Sequence, residues 1–268
     1  MTSVWIDGEV VDSRDLDDRT RVAIESTWAP TARLVLHPSW LSGAGGVDGP
    51  SWIKRVGERL GYSVGDVKGF RPQPFKESDR VVVFVGPRLE DLVAGPKTGL
   101  VARVVVLPLP VEHGRSPDHL HLLTSPWRRN HHSPACSLLL ASDAEYAIGH
   151  REAVGRGGDE ALVLNLDGWV ASAGRDAVII RWSDGRVTTP PLSDGAPATP
   201  WRDLVLSDGE TVERSVTLDE IQSDPDGEMV LLAEDGTVAQ VAAIDHENLS
   251  SAEHLAAFVR VRSRAGLD

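Results

Sequence analysis

Residues 136–180 read CSLLLASDAEYAIGHREAVGRGGDEALVLNLDGWVASAGRDAVII. Ser142 followed three residues later by Glu145 has the capping-box pattern, in which hydroxyl and carboxylate satisfy each other's backbone amides. The spacing predicts a helix from Ser142 to Gly155, stopped by Gly157 and Gly158. Two strand pairs follow, 161–170 around Asp167-Gly168 and 177–187 around Asp184-Gly185, and Asp-Gly is hairpin-turn chemistry. One helix followed by successive hairpins predicts an α+β chain rather than a doubly wound parallel sheet.

Upstream, residues 125–134 (SPWRRNHHSP) break the periodicity with two prolines and a polar centre. This places an N-terminal α+β lobe at 1–125, a linker at 126–134 and a barrel-like C-terminal α+β lobe at 135–268. In the first lobe, Val4–Val11 around Asp7-Gly8 reads as a hairpin. Ile24–Trp28, Arg33–His37, Arg80–Val85, Leu100–Leu109 and His119–Leu123 read as strands, and Trp52–Leu60 has helical spacing. In the second lobe, Pro197–Leu206 holds a helix and Thr217 with Glu220 opens a short one. Strands 229–233 and 237–244 pair around Asp235-Gly236, and Ser250 with Glu253 starts a final helix through Arg260.

Hydrophobic residues make up 41% and charged residues 25% of the 268, an ordinary globular balance. The net charge of −13 repels phosphate backbones and argues against a nucleic-acid partner. The single cysteine, Cys136, excludes an internal disulfide. With no opening signal segment and no apolar run of membrane-spanning length, the expectation is a cytoplasmic protein without a membrane partner.

Several motifs, spread along nearly the whole chain, resemble the class IV aminotransferases, which include branched-chain and D-amino-acid aminotransferases and aminodeoxychorismate lyase. Trp5–Val11 resembles the family's opening hairpin, Ile24-Glu25-Ser26 its Phe-Glu-Thr strand, and Asp159–Gly168 its DEALLLD-x-DG strand. Thr188-Thr189-Pro190-Pro191-Leu192 followed by Gly195 is similar to its TPPL…G turn, and Arg202 falls on the arginine ending its phosphate loop. The resemblance implies a two-lobed fold with a cleft between the lobes, a homodimer, and pyridoxal phosphate chemistry.

That chemistry requires a Schiff-base lysine, an acidic partner for the pyridine nitrogen and donors for the phosphate. The lysine slot falls on Leu138 or Leu139, and no lysine follows Lys97. The acidic position falls on Ser172. Pro200, which has no N–H, stands in the phosphate loop, and Glu234-Asp235 replaces a Ser/Thr-rich second phosphate turn. The expectation is therefore a divergent member that does not bind pyridoxal phosphate, with no other cofactor implied.

Polar survivors mark a candidate ligand cleft: Arg55 (the family's phosphate arginine by resemblance), Arg128, Arg129, His131, His132, Ser172, Thr199 and Trp201. Each also has a plainer reading, as a surface salt bridge, a solvated loop or a core side chain. Trp127, with Trp201, maps to the cleft and suits an apolar or aromatic ligand. His119 and His121 alternate on one strand face, but no carboxylate or cysteine spacing supports a metal, and none is expected. The favoured expectation is a small anionic ligand, a carboxylate, held without cofactor, with catalysis and catalytic residues undecided. A non-catalytic scaffold is the alternative, and a working aminotransferase or lyase the second.

Overall fold

The computed structural model describes residues 3–6, 9–12, 32–41, 46–65, 80–87, 102–109, 119–133, 135–140, 144–207 and 209–265. The chain forms two compact units: Met1–His113 with Leu139–Ser142 and Gly266–Asp268, and Gly114–Leu138 with Asp143–Ala265.

The first unit contains β1 (Ser3–Ile6), β2 (Glu9–Asp12), β3 (Ala32–Leu36), α1 (Pro38–Leu41), α2 (Gly49–Arg59), β4 (Arg80–Pro87) and β5 (Ala102–Leu109). Its sheet runs β2-β1-β5-β4-β3 with every pairing antiparallel. Asp48 caps α2 by accepting the Ser51 N–H at 3.0 Å, and a proline sits in the first turn, where no N–H is needed. Trp52, Ile53 and Val56 are buried, while Lys54, Arg55 and Glu58 are exposed. The helix thus starts three residues before the predicted Trp52, because its cap lies upstream of the apolar stripe.

The second unit contains β6 (Leu120–Arg129), α3 (Ala144–Gly155), β7 (Glu160–Asn165), β8 (Val170–Ala173), β9 (Ala177–Arg181), β10 (Val187–Thr189), a 3-10 turn (Leu192–Asp194), α4 (Pro200–Leu206), β11 (Thr211–Glu213), α5 (Leu218–Gln222), β12 (Glu228–Leu232), β13 (Val238–Ile244), β14 (Glu247–Asn248) and α6 (Glu253–Ala265). The sheet order is β11-β10-β9-β12-β13-β6-β7-β8, with β14 on β13. Pairs β10–β11, β13–β6 and β6–β7 are parallel and the others antiparallel. Leu122, Leu162, Val178, Ile180, Met229 and Ile244 belong to one apolar cluster within it. The α+β expectation holds.

Several local expectations change. Residues 126–129 are strand rather than linker, since β6 continues to Arg129, and the division between units falls at His113 and Gly114. The β6–β7 register shifts between Thr124 and Arg128, leaving Ser125-Pro126-Trp127 as a bulge that needs no ladder N–H from the proline. At three Asp-Gly turns, Gly168, Gly185 and Gly236 have φ of 87°, 87° and 85°, whereas the aspartates are not left-handed. A type I′ turn requires positive φ at both positions, so these are turns with glycine alone in the left-handed place. The final helix is not capped by the Ser250 hydroxyl, which donates to Pro225 O. Glu228 of β12 accepts the Leu255 N–H instead, at 3.1 Å. The expected strand at 24–28 and the cap at Ser142 lie outside the described residues.

Candidate functional site

The two turns that resemble phosphate loops lie in the second unit. Thr199 caps α4 by accepting the Arg202 N–H at 3.1 Å, and Pro200 occupies the first turn. Trp201 is 1% exposed, and its indole lies against Gly236 of the other turn. A Cβ built on Gly236 would stand 2.5 Å from Trp201 Cε3, so no side chain fits between them. The indole therefore fills the contact between the two turns. Arg202 is 2% exposed and donates to Pro190 O at 2.7 Å and Glu213 at 2.6 Å, which makes it a structural clamp.

The remaining cofactor positions agree with this picture. Leu138 and Leu139 are 4% and 3% exposed. The buried Ser172 hydroxyl donates to Gly174 O at 2.9 Å. Ser172 carries no charge to balance a protonated ring nitrogen. With alkyl chains in the lysine slot, no charge at the acidic position and an indole between the phosphate turns, the residues present do not fit pyridoxal phosphate.

The predicted cleft residues divide into exposed and committed groups. Arg55 belongs to the first unit, exposed on α2, with its guanidinium 4.5 Å from the Trp52 ring. Arg128 is exposed and donates to Ser125 O, and His132 is exposed. Trp127 is 61% exposed on the β6 bulge. Arg129 is 4% exposed and donates to Gly195 O at 2.8 Å. His131 is nearly buried, with Nε2 3.2 Å from Asp167 Oδ2, and its ring centroid is 4.0 Å from that of His132. The Cys136 thiol donates to His131 O. His121 meets His246 edge-on at 5.2 Å, and no cluster of three or more metal-ligating side chains occurs among the described residues.

Two groupings escaped the sequence. Arg129 and Arg175 both stack on Tyr146, 4.5 and 5.3 Å from its centroid, and Arg175 lies 3.7 Å from Glu234. Two cations thus share one aromatic ring, with Glu234 beside Arg175. The other grouping is at the end of β6 and β7, where Asn165, Asp167, Asp194 and Gly195 join Arg129 and His131. Asn165 was recognisable in principle: an Asx residue before Asp167-Gly168 closes a turn with its side chain, and Oδ1 accepts the Asp167 and Trp169 N–H groups. The Arg–Tyr–Arg layer left no such signal, because its members come from β6, α3 and the turn after β8.

A model of the amino-transferase class IV family matches residues 76–233. Among solved structures, the chain is similar to a branched-chain aminotransferase from Thermoproteus uzoniensis (19% identity, TM-score 0.76, covering 98% of this chain and 94% of that one). It is similar to a fold IV transaminase from Curtobacterium pusillum at 15% identity and TM-score 0.73, with 99% of each chain covered. A putative 4-amino-4-deoxychorismate lyase from Legionella pneumophila matches at 17% identity and TM-score 0.58 over 69% of this chain and 70% of that one. At these identities the likeness is one of fold. No curated protein sequence matches.

Proposed function

Since the chain belongs to the class IV amino-transferase family, we propose that it is a divergent member that works without pyridoxal phosphate and holds a small carboxylate ligand. The observation that carries the first half is Trp201 against Gly236: a 1%-exposed indole stands where the two phosphate turns meet. A phosphate dianion would have to displace it and then face Glu234 and Asp235, both carboxylates. The second half rests on the guanidiniums of Arg129 and Arg175 around Tyr146. Arginine presents paired N–H donors that match a carboxylate, and largely buried charge attracts an anion more strongly than exposed charge. Arg129 is 4% exposed whereas the Arg175 side chain is 24% exposed, so Arg175 is the side chain a ligand reaches.

A second reading, a non-catalytic scaffold, is favoured by one observation. The hydroxyls of Ser172 and Thr199 and the Nη2 of Arg202 are engaged inside the protein. Under either reading the family resemblance leads us to propose a homodimer, for which the exposed Trp127 is a suitable contact residue.

Thermal shift against a panel of small carboxylates and pyridoxal phosphate tests these readings together. At a hundredfold excess over Kd a ligand stabilises by about 2.7 kcal/mol. The expected result is a response to a carboxylate that Arg175→Ala removes, with none to pyridoxal phosphate. An absorbance band from added pyridoxal phosphate, fixed to a lysine by borohydride, would overturn the cofactor-free reading. Silence toward every carboxylate, with a stable protein partner recovered by pull-down, selects the scaffold.

A further inference from the structure

Arg175 and Glu234 stand in two turns of the second unit, and the carboxylate of one accompanies the guanidinium of the other. Arg175 lies in the turn between β8 and β9, where Ala173 and Asp176 exchange backbone hydrogen bonds at 3.2 and 2.9 Å. Glu234 lies in the turn between β12 and β13. There the Ala233 N–H donates to Thr237 O at 2.8 Å and the Gly236 N–H to Ala233 O at 3.0 Å. Both backbones are held, so any rearrangement between the two turns falls to the side chains.

The two carboxylates of the second turn are not equivalent. Asp235 is engaged within the turn, where its Oδ1 accepts the Thr237 N–H at 2.8 Å. Glu234 extends to Arg175 instead, with Oε2 3.7 Å from Nη2. That separation exceeds a hydrogen bond, so the contact acts through charge. The two side chains are 24% and 17% exposed, and an ion pair reached by solvent is weak enough to exchange. A second carboxylate arriving at Arg175 meets one already beside the guanidinium, and the two repel.

Resting on the carboxylate reading of Arg175, we propose that Glu234 is an autoinhibitory stand-in for the ligand. Its side-chain carboxylate occupies the Arg175 guanidinium until a ligand carboxylate displaces it. Only molecules with Glu234 turned away bind the ligand, so the apparent Kd is the intrinsic Kd divided by their fraction. Glu234 therefore sets the concentration threshold of the site. Asp235, one residue on, carries the same charge but takes no part, because its carboxylate is turned to Thr237.

The test is a thermal-shift titration of the full chain with sodium propionate at constant ionic strength, with propionamide as the uncharged control. Glu234→Gln is expected to lower the propionate concentration for half-response by about twofold to fivefold, the range of a weak, partly exposed ion pair. Asp235→Asn is expected to leave it at the wild-type value. Adding Arg175→Ala to Glu234→Gln is expected to abolish the response. In the wild type, propionate is expected to shift the ¹³C resonance of the Glu234 carboxyl, a readout that needs no variant to fold. With a responding wild type, three results overturn the proposal and leave the carboxylate reading standing: an unchanged or higher midpoint in Glu234→Gln, an equal gain in Asp235→Asn, or an unmoved Glu234 resonance. No response beyond that to propionamide, in wild type and Glu234→Gln alike, overturns both.

Discussion

The two ends of the second unit are filled in different ways. Around α4 and the 233–236 turn, Thr199, Ser172 and the Arg202 Nη2 have protein partners, the Arg202 Nε is buried without one, and Trp201 fills the space between turns. At the end of β6 and β7, Asp194 Oδ2 and His131 Nδ1 are buried with nothing to bind. Unmet buried groups lower stability wherever they occur. One end is closed by an indole and the other by hydrogen bonds from the strand ends, within a single fold.

Trp201→Ala attacks the filled side and carries the largest expected effect. Removing a buried indole costs about 3–5 kcal/mol through lost burial and the cavity left behind, read as a lower urea midpoint at unchanged m. If the indole alone excluded the phosphate, pyridoxal phosphate would rescue this variant. The expected outcome is no rescue, because the uncharged Ser172 and the leucine slot remain.

Gly195→Ala probes the junction between the two ends. Gly195 has φ of 95°, and an added Cβ would stand 2.7 Å from Arg129 Cδ. Left-handed strain and displacement of Arg129 together predict a loss of about 2–3 kcal/mol, and the variant should also lose the carboxylate response. Unchanged stability would mean that Arg129 is loosely held, which weakens the contrast.

A smaller effect comes from acid. The Thr217 N–H, with Arg214 beside it, holds the Glu220 carboxyl below the usual range. A carboxyl lowered in the folded state contributes stability above its unfolded pKa of about 4.3, and loses that contribution as pH falls through the lower folded value. Because Glu220 is 38% exposed, the effect is screened to under about 1 kcal/mol. The difference in stability between wild type and Glu220→Gln should therefore shrink as pH drops below 4. A constant difference would assign the effect to packing.

Arg55→Ala should do least. Its guanidinium is exposed over Trp52, where a cation–π contact is worth about 0.5–1 kcal/mol, and ligand responses should be unaltered. A lost carboxylate response in this variant would restore Arg55 as an anion grip and move the ligand site away from Tyr146.

Sequence alone determined what depends on local pattern. The α2 stripe of Trp52, Ile53 and Val56, the Thr217–Glu220 capping box, the hairpins and the missing lysine were all legible, because each needs only near neighbours or a residue type. The α3 face was harder to see: Tyr146, Gly149 and Ala153 are buried, and small residues carry little hydrophobic signal. Tertiary structure decided the rest. Pro126 read as a linker because the bulge that accommodates it exists only against β7. Glu228 capping α6 and Trp201 seated on Gly236 join residues from separate elements, and the lack of a donor at Asp194 Oδ2 likewise depends on the assembled fold. Burial and hydrogen-bond partners are properties of the assembled fold, so no spacing in the chain announces which polar group will be satisfied and which left waiting.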